Sequence, residues 1–153
     1  MSSDHLIGLF DYDTAVSRNL LGALRGSPDI DERTASTFAH ILAARKIWME
    51  RLASGGRSST PVWPTLSFDG CGVLIEENDR SYTSYFQGRS EADLDLPVSY
   101  QNSSGKRFVG RPRDILMHVV IHGGYHRGQI AQSMRSAGDE PVNTDYISYL
   151  RDG

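Results

Sequence analysis

The sequence predicts an all-α protein, a four-helix bundle with a long connection, containing a hairpin, before its last long helix. Four stretches repeat apolar residues at helical spacing. Clusters of Gly, Ser and Pro punctuate them. Only the segment ahead of the fourth stretch alternates as a strand does. At 153 residues the chain fits one domain, 1–153, able to bury a core without metal or disulfide staples although its hydrophobic content is a modest 39%.

Helix one spans 4–25, on Leu6, Leu9, Phe10, Val16, Leu20 and Leu24, and stops at Gly26-Ser27-Pro28. Helix two spans 31–53, on Phe38, Ile41, Leu42, Ile47, Trp48, Met49 and Leu52, before a Ser-, Gly- and Pro-rich loop from Ser54 to Pro64. A weaker pattern of Leu74, Ile75, Tyr82, Tyr85 and Phe86 predicts helix three over 74–88. Leu96, Val98 and Tyr100 alternate, Asn102 to Gly105 supplies turn residues, and Phe108 and Val109 complete a short hairpin or extended connection over 94–109. Pro112 suits a first helical turn, where its missing N–H costs nothing, so helix four runs from there to about Arg135 and closes at Gly138 and Pro141. A short terminal helix is expected over 145–150.

Composition excludes several functions. With 16 basic and 19 acidic residues the net charge is −3, so nothing gathers phosphates and nucleic acid is not an expected partner. No apolar run approaches the roughly 20 residues needed to cross a bilayer, and the opening residues carry acids where a signal peptide carries basic ones, so a cytoplasmic protein without membrane partners is expected. The one cysteine, Cys71, fits a reducing compartment and rules out a thiolate cluster. On a loop it could serve as a nucleophile, but no motif activates it, and it reads as an incidental or packed thiol.

Three of the five histidines, His118, His122 and His126, climb one side of helix four at four-residue intervals. At about 100° per residue His126 points nearest the direction of Ile115, Val119 and Ile130, with His122 about 40° and His118 about 80° away. The outer two lie about 12 Å apart along the axis, too far to share one ion at about 2.1 Å. Only a neighbouring pair can chelate, and His122 with His126 faces inward best. A third ligand could come from His5, His40, Cys71 or a carboxylate of another helix. His40 flanks the apolar stripe of helix two beside Ala44, Ile47 and Trp48, a placement suited to a pocket wall.

The segment from His118 to Ile130, HVVIHGGYHRGQI, resembles the last-helix signature of the DinB-like, damage-inducible bundle proteins. His40-Ile41-Leu42-Ala43-Ala44 followed by Trp48-Met49-Glu50-Arg51-Leu52 resembles that family's second helix. Helix one has residues of the family's type at Tyr12 and Asn19 but lacks its frequent tryptophan. The resemblance implies one divalent metal ion, zinc or nickel, held by His40, His122 and His126; imidazole itself suits several divalent ions. His118, Tyr12, Trp48, Tyr125 and Arg127 are then candidates for the surrounding pocket. Arg127, one step past an inward histidine, reads as structural or surface, or as a holder of an anionic group.

Three neutral imidazoles would leave an ion its full charge and an open position. Gly123, Gly124 and Tyr125 occupy the places between the histidines, so the glutamate base of a zincin is absent. Relatives of the family include thiol-using transferases and an isomerase. The resemblance therefore implies attack of a thiol, from a low-molecular-weight cosubstrate, or of water on a small electrophilic substrate. The competing expectation is a metal-stabilised module without turnover. The three glycines of helix four each cost about 1 kcal/mol relative to Ala, which predicts close helix packing at all three. Met117, Ile121 and Ala131 point away from the core, to be covered by 94–109 or, as the resemblance favours, by a second subunit in a homodimer.

Overall fold

The computed structural model describes residues 2–152. Its helices are α1 (Ser3–Gly26), α2 (Glu32–Ser54), α3 (Phe68–Gln87), α4 (Pro112–Ser136) and the short α5 (Tyr146–Asp152). A 3-10 turn at Ala92–Leu94 and the antiparallel strands β1 (Val98–Gln101) and β2 (Arg107–Gly110) fill the connection between α3 and α4. The hairpin is in register with Val98 opposite Gly110 and Gln101 opposite Arg107. At its tip Asn102 Oδ1 accepts from the amides of Ser104 and Lys106, while Gly105 takes a φ of 82° that other residues rarely adopt.

Side chains set the starts of the first three helices. Ser2, Asp31 and Ser67 each accept a backbone N–H of the first turn, relieving donors that no carbonyl can reach. The cap at Ser67 starts α3 at Phe68, not at Leu74 as its apolar pattern predicts. Gly70 and Gly72 are poor helix formers and hide that first turn from sequence reading. One consequence concerns Cys71, which lies inside α3, buried against the core, and not on a loop.

The four long helices form a ring in the order α1, α3, α2, α4, so α1 faces α2 across the core. One apolar layer gathers Leu6, Leu9, Phe10, Met49, Tyr82 and Leu116, the other Leu20, Leu24, Phe38, Leu42, Ile75 and Ile130. Between the layers in every helix stands a polar residue: Asp13 in α1, Arg45 in α2, Asn78 in α3 and Arg127 in α4, all buried. Asp13 takes an ion pair from each guanidinium, at 3.2 Å to Arg45 and 2.5 Å to Arg127. Asn78 instead donates to the Leu42 carbonyl.

The hairpin does not cover the outer face of α4. It lies against α2, with Tyr100 on Trp48 at 5.2 Å between ring centroids. Ile121 remains 62% exposed, whereas Met117, expected on the outside, is partly buried against the first apolar layer. No helix among the described residues is long and apolar enough to cross a membrane.

Candidate metal centre

The histidine cluster sits where α2 and α4 pack side by side. His40 projects from the middle of α2 and is buried, while His122 and His126 are one turn apart on α4 and half-buried. The three Nε2 atoms converge: His122 Nε2 lies 3.2 Å from that of His40 and 3.2 Å from that of His126. Two nitrogens bound to one tetrahedral ion at about 2.0–2.1 Å stand about 3.3 Å apart, so the spacing fits a shared ion. No carboxylate or thiol joins this cluster among the described residues.

Hydrogen bonds fix which nitrogens face inward. The Val62 carbonyl can only accept, so His40 carries its proton on Nδ1 and donates it over 2.7 Å, leaving a lone pair on Nε2. His126 Nδ1 donates to Gln129 Oε1 at 2.8 Å, with the same result. Burial, together with the neighbouring imidazoles of His126, His40 and His118, pushes the pKa of His122 down to about 4. Burial also lowers that of His40, against the Val62 bond, which raises it. Both rings are therefore neutral near pH 7, as ligands must be.

The remaining predicted residues divide. His118 is exposed; its ring packs against Trp48 at 5.3 Å and lies 5.7 Å from that of His122, outside the convergence of nitrogens. Tyr125, 66% exposed, lies 5.1 Å from the His126 ring. Tyr12 turns instead toward α5, donating its hydroxyl to the Thr144 carbonyl and packing on Tyr146 and Tyr149. Arg127 is 3% exposed and bound to Asp13, so it cannot hold a ligand's anionic group without breaking a core ion pair.

Close packing explains one glycine of the three. A Cβ on Gly123 would stand 2.9 Å from Arg127 Nη1 and 3.0 Å from Asp13 Oδ1. Gly128 has nothing within 4 Å and Gly124 only a guanidinium nitrogen at 4.0 Å, so the expectation fails for those two.

Sequence reading missed Trp63. Its indole stacks flat on His40, centroids 3.9 Å apart and planes 9° apart, and meets His126 edge-on at 6.2 Å. Trp63 and Tyr125, both exposed, thus lie against rings of the cluster. An aromatic residue between Pro61 and Pro64 in a polar loop was the available signal. One turn beyond, a polar groove of about 530 Å³ opens between α2 and α4, lined by Asp31, Arg33, Thr37, Gln129 and Ser133.

Fold and site together define a helical bundle that carries a three-histidine cluster between two neighbouring helices. Residues 32–152 match the DinB family, and the chain belongs to that family. It is 38% identical over 69 residues to Protein DinB of Bacillus subtilis (strain 168). That match spans 45% of this chain and only 39% of the relative. A DinB-like protein from Bacillus cereus ATCC 10987, known from its crystal structure, shares the fold: the TM-score is 0.68 over 92% of this chain and 95% of that one, at 16% identity.

Proposed function

We propose that the protein is a divalent-metal-dependent enzyme that activates a thiol or water for attack on a small electrophilic substrate, with His40, His122 and His126 as the metal ligands. One observation carries the reading. Two Nε2 lone pairs, fixed by bonds on the opposite ring nitrogens, point at a third Nε2 over 3.2 Å. A single proton on His122 cannot satisfy both neighbours well, whereas one cation suits all three. When bound, zinc or nickel would act as a Lewis acid that lowers the pKa of a nucleophile at its open position.

The chain's own residues supply the rest. Three neutral rings add no negative charge to offset the ion. Trp63 and Tyr125 flank the side through which a substrate would come, and the polar groove beyond Gln129 has room for a hydrophilic thiol cosubstrate. These openings favour turnover over a purely structural metal, which sits in a closed site. The single thiol lies buried in a core, which suits a cytoplasmic protein. We also place a homodimer contact on the outer face of α4, where Ile121 and Tyr125 are exposed.

The test is transfer of cysteine or glutathione to 1-chloro-2,4-dinitrobenzene by protein loaded with zinc or nickel. The parent should exceed His126→Ala by at least tenfold. Equal rates, with metal bound only to the parent, would leave the metal-stabilised module as the reading.

A further inference from the structure

The loop after α2 follows a defined path. Glu50, ten residues beyond His40 on the same helix, accepts hydrogen bonds from Ser58 Oγ at 2.5 Å and from Thr60 Oγ1 at 3.0 Å. Ser58 Oγ in turn accepts from the Thr60 amide at 3.1 Å. The Gly56 carbonyl accepts from the Gln101 amide at 3.3 Å, which steadies the loop's first half, while Arg51 of α2 reaches Ser103 Oγ in the hairpin turn. From Thr60 the chain runs back along α2, and within three residues it delivers the Val62 carbonyl and the Trp63 indole to the two features of His40 that set its aim. One is the Nδ1–H, the other the ring face. The indole stays 55% exposed, so burial alone does not hold it there.

Neither partner of His40 lies on a helix. His122 and His126 inherit their aim from α4, but His40 depends on a 13-residue connection that Glu50 ties back to α2 at Ser58 and Thr60. The geometry points to residues 56–63 as a strap that positions His40: Glu50 pins it, Val62 fixes the tautomer, and Trp63 locks the ring. Glu50 and Trp63 are thus positioning residues for the metal centre, a role that rests on the metal reading above. Outer partners of metal-bound histidines commonly change affinity by about 10–100-fold when removed.

The test uses the full chain with cobalt(II) as probe, because its d–d absorption reports ligand geometry. Glu50→Ala and Trp63→Ala should weaken cobalt binding about tenfold or more and alter the visible band, with melting of the metal-free protein little changed. Trp63→Phe, which keeps a ring on His40, should recover most of the affinity. Either alanine variant binding within twofold of the parent, with the parent's spectrum, overturns the proposal. Long-range proton–nitrogen correlation on the metal-free protein separates this failure from that of the metal reading. If the parent takes up no cobalt while His40 is Nδ1-protonated and Glu50→Ala abolishes that preference, the strap stands and the metal reading falls. If cobalt binds but Glu50→Ala leaves the tautomer unchanged, the strap falls alone.

Discussion

The same substitution at two glycines of α4, five residues apart, should move stability in opposite directions. Gly128 is exposed, and a Cβ there meets nothing within 4 Å. Gly128→Ala therefore gains the helix propensity alone, about 0.5–1 kcal/mol. Gly123→Ala gains the same, but its methyl lands 2.9 Å from Arg127 Nη1 and 3.0 Å from Asp13 Oδ1. Arginine is normally able to swing aside. Here the guanidinium is 3% exposed and paired, and overpacking of a filled interior costs about 1–3 kcal/mol. The two variants should thus differ by about 1–3 kcal/mol, or about 2–12 °C in melting temperature for a chain of this size. Urea unfolding of the metal-free proteins, with slopes shown to be equal, measures the difference. Stabilisation of Gly123→Ala to within about 0.5 kcal/mol of Gly128→Ala would mean that the contact with the ion pair carries no energy, and the packing argument would fail.

Three further outcomes follow from other parts of the molecule. Protein reloaded with zinc or nickel should bind one equivalent, which His126→Ala loses and His118→Asn keeps, because His118 stands outside the convergence of nitrogens; equal losses in inductively coupled plasma analysis would contradict that placement. Burial pushes the Cys71 thiol above its ordinary value, with Arg25 only partly opposing it, so little thiolate exists at pH 8, and reaction with Ellman's reagent should be slow until urea unfolds the chain. Rapid reaction in native buffer would be incompatible with a core cysteine. If the face of α4 around Ile121 is a subunit contact, light scattering at micromolar concentration should give a dimer that Ile121→Lys dissociates; a parent that stays at 17.0 kDa on concentration rules this out.

What the sequence discloses depends on whether a feature repeats. Helices α1, α2 and α4 bury a face along their whole length, so each is legible from a period, to within about two residues at its ends. The first turn of α3 is set by one hydroxyl, that of Ser67, and no period announces it. The wheel of α4 also puts His122 and His126 inward and His118 aside, since their angles follow from spacing alone. Trp63 escapes such reasoning because a loop has no phase. Its place on His40 depends on the Glu50 contacts with Ser58 and Thr60, a long-range event in chain geometry. Asp13 and Arg45 did carry a signal, a charge inside an apolar stripe: Asp13 falls between Phe10 and Val16, Arg45 between Leu42 and Met49.

Those buried charges bear on the site through a fixed offset along each helix. On α4, Gly123 follows His122 and Arg127 follows His126; on α2, Arg45 lies five residues past His40. Each step along a helix turns it by about 100°, so the face that meets Asp13 and the face that carries the histidines are rigidly related. Pairing Arg45 from across the ring and Arg127 from the adjacent helix to one carboxylate fixes the rotation of both histidine-bearing helices about a common point. Breaking the set by Asp13→Asn leaves two guanidiniums buried without a counter-charge and should cost about 3–5 kcal/mol. Replacing it whole, with Asp13→Leu, Arg45→Met and Arg127→Met together, removes the desolvation cost too and should leave stability equal or raised by about 1–4 kcal/mol. Stability and binding then part company: the apolar layer has no preferred rotation, and cobalt affinity should fall at least tenfold in the triple variant despite its sound fold. Parent-like affinity in that variant would show that apolar packing alone aims the histidines, and that the three charges serve some purpose other than register.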